Sequence, residues 1–227
     1  MKRTAVRVWE FPVRLVHWTN FLAIVVLCLT GVYIHWPFLA APAGSDAYVM
    51  GLMRYAHFVA GWVLLAGLLA RLYWGFVGNR YARLGTFFPY LTAEGRRHLR
   101  GVLRYYALLS SRLPPHLGHN AMAATVYGGV FLLLAFQVLS GFALLGLHDP
   151  SGMTYRLTGW LIAAVGGGWV RFAHYTVTFV LGAFLIAHVY AMWVCDLAER
   201  DGTSGSMFSG YKYGEVEHVA YSDSRAR

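Results

Sequence analysis

The 227 residues are 58% hydrophobic and 16% aromatic but only 13% charged, with a mean hydropathy of +0.48. A soluble globular domain carries charge on about a quarter of its residues, so this composition excludes that class and points to the lipid bilayer. The formal net charge of +9 does not mark a nucleic-acid partner, because the basic residues crowd into the connections between apolar runs, where they carry topology.

The leader, MKRTAVRVWEFPVRLVHW, sets basic residues ahead of an apolar run that is long enough to span and lacks a small-residue cleavage site. It reads as a retained first helix rather than a signal peptide. Four windows, 15–35, 55–77, 121–147 and 169–195, are apolar enough to cross a hydrocarbon core, which takes about 20 residues. Lys2, Arg3, Arg7 and Arg14 precede the first. Arg80, Arg83, Arg96, Arg97, Arg100, Arg104 and Arg112 lie between the second and third. The other two connections hold only Arg54 and Arg156, beside Asp46 and Asp149. Lysine and arginine collect on the cytoplasmic side, which puts both termini and the central segment in the cytoplasm. The predicted fold is all-α: an integral membrane four-helix bundle over 1–200 with a polar tail over 201–227.

Between the connections, 93–113 interleaves Leu99, Leu103 and Leu108 with arginines and reads as an amphipathic helix on the cytoplasmic membrane surface, ended by Pro114 and Pro115. The connection 148–168, with its turn residues and Gly166 to Gly168, reads as a loop lying against a partner or the membrane. After Asp196 the tail turns polar and glycine-containing, and reads as extended and only partly ordered. Cys28 and Cys195 each stand alone in an apolar run, with no CxxC and no CxxCH, so neither thioether-linked haem nor an iron–sulfur cluster belongs to this chain.

Ionisable side chains inside a bilayer are costly and are by default functional. The last span carries two, His174 and His188; fourteen residues is close to four helical turns, so both project from nearly one face about 21 Å apart. His57 opens the second span at the external face and His17 the first span at the cytoplasmic face. Depth therefore pairs His57 with His174 outside and His17 with His188 inside, the pattern of two bis-histidine haem sites in a bundle core.

Arg14, Arg54 and Arg171 each precede a histidine by three residues on the same helix face, nearer water, where a guanidinium suits a haem propionate. Arg71 follows His57 by fourteen residues and lies at the inner depth. The same arginines also read as snorkelling anchors. Glycines 31, 61, 67, 128, 129, 141 and 182 would admit a flat macrocycle or serve helix packing. His119 and Asn120 open the third span at the inner level, as a hydrogen-bonding pair for a quinone carbonyl or as a helix cap. The remaining histidines, among them His35, His98, His116, His148 and His218, read mostly as solvated.

With these residues in view, the chain resembles the b-type cytochrome subunit of membrane-bound nickel–iron uptake hydrogenases, within the wider group of four-helix di-haem cytochromes that includes the gamma subunit of respiratory formate dehydrogenase. The resemblance covers nearly the whole chain. It is carried by VWEFPVRLVHWTNFLAIVVLCLTG at 8–31, RYAHFVAGWVLLAGLLARLYWGFVGNRYAR at 54–83, GHN at 118–120, the fourth-span histidines with HVYAMW, and SGYKYG in the tail. Matched residue by residue, the family's ligand positions fall on His17, His57, His174 and His188.

The resemblance implies two non-covalent b haems in a multi-pass protein of the bacterial cytoplasmic membrane. Electrons would come from the hydrogenase's iron–sulfur small subunit on the periplasmic side, and through it from the large nickel–iron subunit, and would pass to quinone. No hydrogen-activating chemistry is expected in this chain, and the oligomeric state of the complex is left open. The competing readings are the same electron path serving a formate or thiosulfate enzyme, a stand-alone superoxide:quinone oxidoreductase of the cytochrome b561 type, and an anchor without cofactor.

Overall fold

The computed structural model describes residues 3–39 and 48–215; Lys2, Asp46, His218 and the tail beyond 215 lie outside them. In chain order the elements are β1 (Arg3–Arg7), α1 (Phe11–His35), α2 (Val49–Val77), α3 (Ala93–Tyr106), α4 (Ala121–Gly146), α5 (Met153–Val165), α6 (Gly167–Glu199), α7 (Thr203–Ser209) and β2 (Tyr211–Glu215). Two short 3-10 turns, Leu84–Phe87 and Pro89–Leu91, lead into α3.

The chain is a membrane protein. Four helices, α1, α2, α4 and α6, are long and apolar enough to cross a membrane. A helix satisfies every backbone hydrogen bond within itself, which is what a hydrocarbon solvent demands. Their flanks confirm that solvent: Leu29, Phe76 and Ile186 are 68%, 69% and 75% exposed, a waste of apolar surface in water but not in lipid. Both α1 and α2 begin earlier than the apolar windows. Pro12 fits the first turn of α1, where its missing N–H would be unbonded anyway. At 33 residues α6 runs about 50 Å and outlasts the hydrocarbon layer, so Asp196 and Glu199 are carried beyond its apolar part.

The chain forms two compact units. One, the bundle unit (17–69 and 132–186), is a four-helix bundle built from parts of α1, α2, α4 and α6, together with α5. Helices α1 and α2 approach closely where Gly67 faces Asn20: a Cβ on Gly67 would come within 1.9 Å of Asn20 Oδ1. Helices α2 and α4 meet at Trp62 and Phe142, edge to face with ring centres 4.5 Å apart.

The other, the terminal unit (1–16, 70–131 and 187–227), joins the two ends of the described chain. Strands β1 and β2 pair antiparallel, Arg3 opposite Glu215 and Arg7 opposite Tyr211. Val8, Trp9, Val13, Ala82 and Leu117 form a small core beside them. Glu10 fastens this end: its carboxylate accepts from Trp74 Nε1 at 2.9 Å and from the Asn79 amide at 2.8 Å, while Asn79 Nδ2 donates to the Val8 carbonyl. Trp9 Nε1 donates to Ser206 Oγ on α7, and Lys212 pairs with Asp201 at 2.6 Å. Helix α3 is capped by Thr92, which accepts from Gly95 N at 3.0 Å, and buries Gly95, His98 and Val102. Of the leucines expected on its apolar face, Leu103 is exposed and Leu108 lies past the helix end.

Two expectations are corrected. The connection 148–168 is not a loop but largely helix α5. Its glycines act as caps, Gly152 before the helix and Gly166 after it in a positive-φ conformation (φ 84°). The tail to residue 215 is not extended coil; it forms α7 and the strand that pairs with β1.

Candidate haem-ligand site

Within the bundle unit, α2 presents His57 and α6 presents His174 to each other, with ring centres 6.5 Å apart and planes inclined at 68°. Each imidazole is held from behind by a neighbouring helix. Thr30 Oγ1 on α1 lies 2.9 Å from His57 Nδ1, and Ser140 Oγ on α4 lies 2.8 Å from His174 Nδ1. The next residue in each case is glycine, and a Cβ there would meet the ring: 3.3 Å from His57 Cε1 at Gly31 and 3.2 Å from His174 Cε1 at Gly141. These two glycines make room for the imidazoles themselves.

Each hydroxyl has one proton, and each gives it to the carbonyl one turn back: Thr30 to Val26 O at 2.6 Å, Ser140 to Phe136 O at 2.7 Å. The hydroxyl oxygens are left as acceptors, so each Nδ1 carries the ring proton and each Nε2 keeps a lone pair. A neutral imidazole with Nδ1–H fixed by a partner is the ligand form of histidine.

A cavity of about 510 Å³ adjoins the pair, within the range of ordinary cofactor pockets. Its walls are mainly apolar, including Leu27, Phe58, Leu134 and Leu181. Arg54 and Arg171 line it and no carboxylate does among its described lining residues, so it suits a group bearing negative charge. His35 and His148, both exposed as expected, line it too, and His35 stacks on Tyr175 with ring centres 3.6 Å apart; of the histidines expected to be solvated it is His98, on α3, that is buried. Deeper in the wall Gln137 donates to Thr178 Oγ1 at 3.0 Å, and its buried Oε1 has no hydrogen-bond partner among the described residues.

The donor set decides what metal group fits. Among the described residues no three His, Cys, Asp or Glu converge to hold a bare ion. Two opposed imidazoles suit iron that brings its own in-plane donors, as haem does. Two metal–imidazole bonds of about 2 Å each, extended by the distance from each ring centre to its Nε2, account for a separation of this size.

The terminal unit holds the other polar candidates. His188 on α6 meets Tyr127 on α4, hydroxyl to Nδ1 at 3.3 Å. Tyr127 packs against His119, which also packs against Trp9 and Phe87. Burial pushes the His119 imidazole down to about 3, with the charges of Lys212 and Arg71 adding to the effect, so it is neutral near pH 7. Asn120 caps α4, its Oδ1 accepting from Ala123 N at 2.8 Å. Arg71 is buried, donates to the Ala82 carbonyl at 2.9 Å and lies 5.1 Å from the Phe87 ring centre; its Nη1 has no partner among the described residues. Arg14 donates to the Phe208 carbonyl. His17 belongs to the bundle unit and His188 to the terminal unit, so the matching of these two stands on helical spacing alone.

Thr30 and Ser140 were missed from sequence, although LTG at 29–31 and LSG at 139–141 are a repeated signal.

The profile of a family described as "Prokaryotic cytochrome b561" matches residues 8–210. A protein of Cupriavidus necator described as "Probable Ni/Fe-hydrogenase B-type cytochrome subunit" is 37% identical over 92% of this chain and 87% of its own length. One of Azotobacter vinelandii with the same description is 37% identical over 93% and 90%. One of Escherichia coli, described as "Probable Ni/Fe-hydrogenase 1 B-type cytochrome subunit", is 33% identical over 93% of both chains. Four membrane-length helices, an opposed histidine pair beside a mainly apolar cavity that two arginines line, and this similarity over nearly the full length agree: the chain belongs to the prokaryotic cytochrome b561 family, alongside relatives described as Ni/Fe-hydrogenase B-type cytochrome subunits.

Proposed function

We propose that this chain is the membrane-embedded b-type cytochrome subunit of a Ni/Fe hydrogenase, carrying electrons from the enzyme's iron–sulfur small subunit through two b haems to quinone. The observation that supports it best is the opposed pair His57 and His174, each with Nδ1–H fixed and Nε2 available. Bound there, haem b supplies a reversible one-electron iron couple, the chemistry needed to move charge across a low-dielectric layer.

The chain's own residues have distinct parts in this reading. His57 and His174 hold the outer haem, and Arg54 and Arg171 neutralise its propionates. His17 and His188 hold the inner haem, a pairing that rests on helical depth, with Arg14 and Arg71 as its propionate partners. Arg71 suits that part because a buried guanidinium with an unused N–H calls for an anion. His119 and Asn120 bind the quinone. A neutral His119 is able to donate its one N–H to a quinone carbonyl oxygen. The termini and the segment 78–118 face the cytoplasm, the bacterial inner membrane surrounds the spans, and the hydrogenase subunits dock on the periplasmic side.

The reading is tested by purifying the tagged chain from membranes with its partners, identifying them by mass spectrometry and counting haem. His57→Ala and His174→Ala should each remove the same haem and leave the other spectrum intact. Two undisturbed low-spin signals in either variant overturn the pairing.

A further inference from the structure

We propose that Thr30 and Ser140 are positioning residues that fix the orientation and donor strength of His57 and His174, and thereby set the reduction potential of the group these imidazoles hold. The inference rests on the reading that the pair ligates haem b, and concerns two side chains whose own helices carry no ligand at this level.

Three observations carry it. The first is direction: because each hydroxyl proton is committed to a backbone carbonyl at 2.6 or 2.7 Å, neither hydroxyl is free to donate to its imidazole. Only the Nδ1–H tautomer is compatible with contacts of 2.9 and 2.8 Å. The second is polarisation. In the chain Nδ1–H to hydroxyl to carbonyl, each bond strengthens the next, and the medium around it is apolar. A hydroxyl that gives its proton away accepts better, so it draws on the Nδ1–H and raises the basicity of Nε2. The third is duplication. Thr30 and Ser140 stand on different helices, each followed by a glycine that leaves space only for the ring, so each imidazole has a hydroxyl partner and a steric wall, with the Leu27 carbonyl as a further partner of His57. The same construction at both ligands argues for a shared purpose rather than two helical hydroxyls satisfying themselves.

More basic imidazoles stabilise oxidised iron and hold the potential low. Removing an acceptor therefore raises it.

The experiment uses the full chain purified with its partner subunits, read by haem count and by redox titration followed optically. Thr30→Val keeps the shape and removes the acceptor; Ser140→Ala does the same at the other ligand. Each should shift the midpoint potential of the haem on His57 and His174 upward, the double variant further than either, while the second haem stays unmoved. Thr30→Ser, which keeps the hydroxyl, should return the potential to the wild-type value. If Thr30→Val loses this haem and Thr30→Ser keeps it, the hydroxyl's positioning role is supported on that ground instead. Unchanged potentials with full haem content in Thr30→Val and Ser140→Ala overturn the inference, as does loss of this haem in Thr30→Ser as well. If His57→Ala leaves the haem count and spectrum unchanged, the ligand reading fails first and the inference falls with it.

Discussion

A single methyl group tests the site at its tightest point. A Cβ on Gly141 would sit 3.2 Å from His174 Cε1, closer than an imidazole accepts without moving. Gly141→Ala should displace the ring by a few tenths of an ångström, lengthen its bond to Ser140 and lower haem content, read by pyridine haemochrome assay against protein. Gly168→Ala is the control, since nothing lies within 4 Å of its Cβ and it does not line the cavity. The same residues show what was legible beforehand. The histidines stood out because an ionisable group in a bilayer span needs a reason. Thr30 and Ser140 did not, because a hydroxyl in a membrane helix satisfies itself on the carbonyl one turn back and reads as neutral. Only the neighbouring helix reveals that the oxygen has a second bond to make.

Among the elements, α5 is misread in the sequence, as are α7 and β2 in the tail. The α5 segment, MTYRLTGWLIAAV, is too short to span and is bracketed by glycines that look like breakers. They break at the ends only: Gly166 takes φ 84°, its amide bonds back to Ile162 O at 2.8 Å, and α6 begins at the next residue. With ψ 143° Gly166 lies outside the left-handed helical well, and a Cβ there costs on the order of 1–3 kcal/mol. Gly166→Ala should therefore lower the melting temperature of the detergent-solubilised protein, while Gly168→Ala, which has ordinary φ and open space around it, should not. The spans themselves were legible to within a few residues, because length and continuous apolarity are what a bilayer demands of a helix. The pairing of β1 with β2 was not, since five-residue strands far apart in sequence leave no periodic trace of their partnership.

At the scale of the whole molecule, the clasp between the chain ends should be sensitive to acid. Burial alone would raise the Asp201 carboxyl, but Lys212, with help from Thr203, outweighs it and holds the group below its ordinary value. Burial pushes the His116 imidazole down to about 4, with Lys212 adding to the effect. Both groups bind protons more readily when this end is unfolded, but Glu199, 3.5 Å from His116 and raised by burial to about 7, binds them more readily when it is folded and offsets His116 between about pH 7 and 4; the loss left standing is that of Asp201, as the pH falls from the ordinary value of 3.8 toward the lower folded one. Hydrogen exchange at the amides of 3–7 and 211–215 should show protection lost over that interval. Asp201→Asn should remove it even at pH 7, because a buried lysine left without its carboxylate costs about 3 kcal/mol. The bundle unit carries a different lesson. Helix α1 supplies hydroxyl and glycine to a histidine on α2, and α4 supplies the same two to a histidine on α6. One helical hairpin used twice thus suffices to write the whole site, and a peptide copy of α1 and α2, dimerised about a twofold axis, would present both imidazoles and both hydroxyls from half the genetic information.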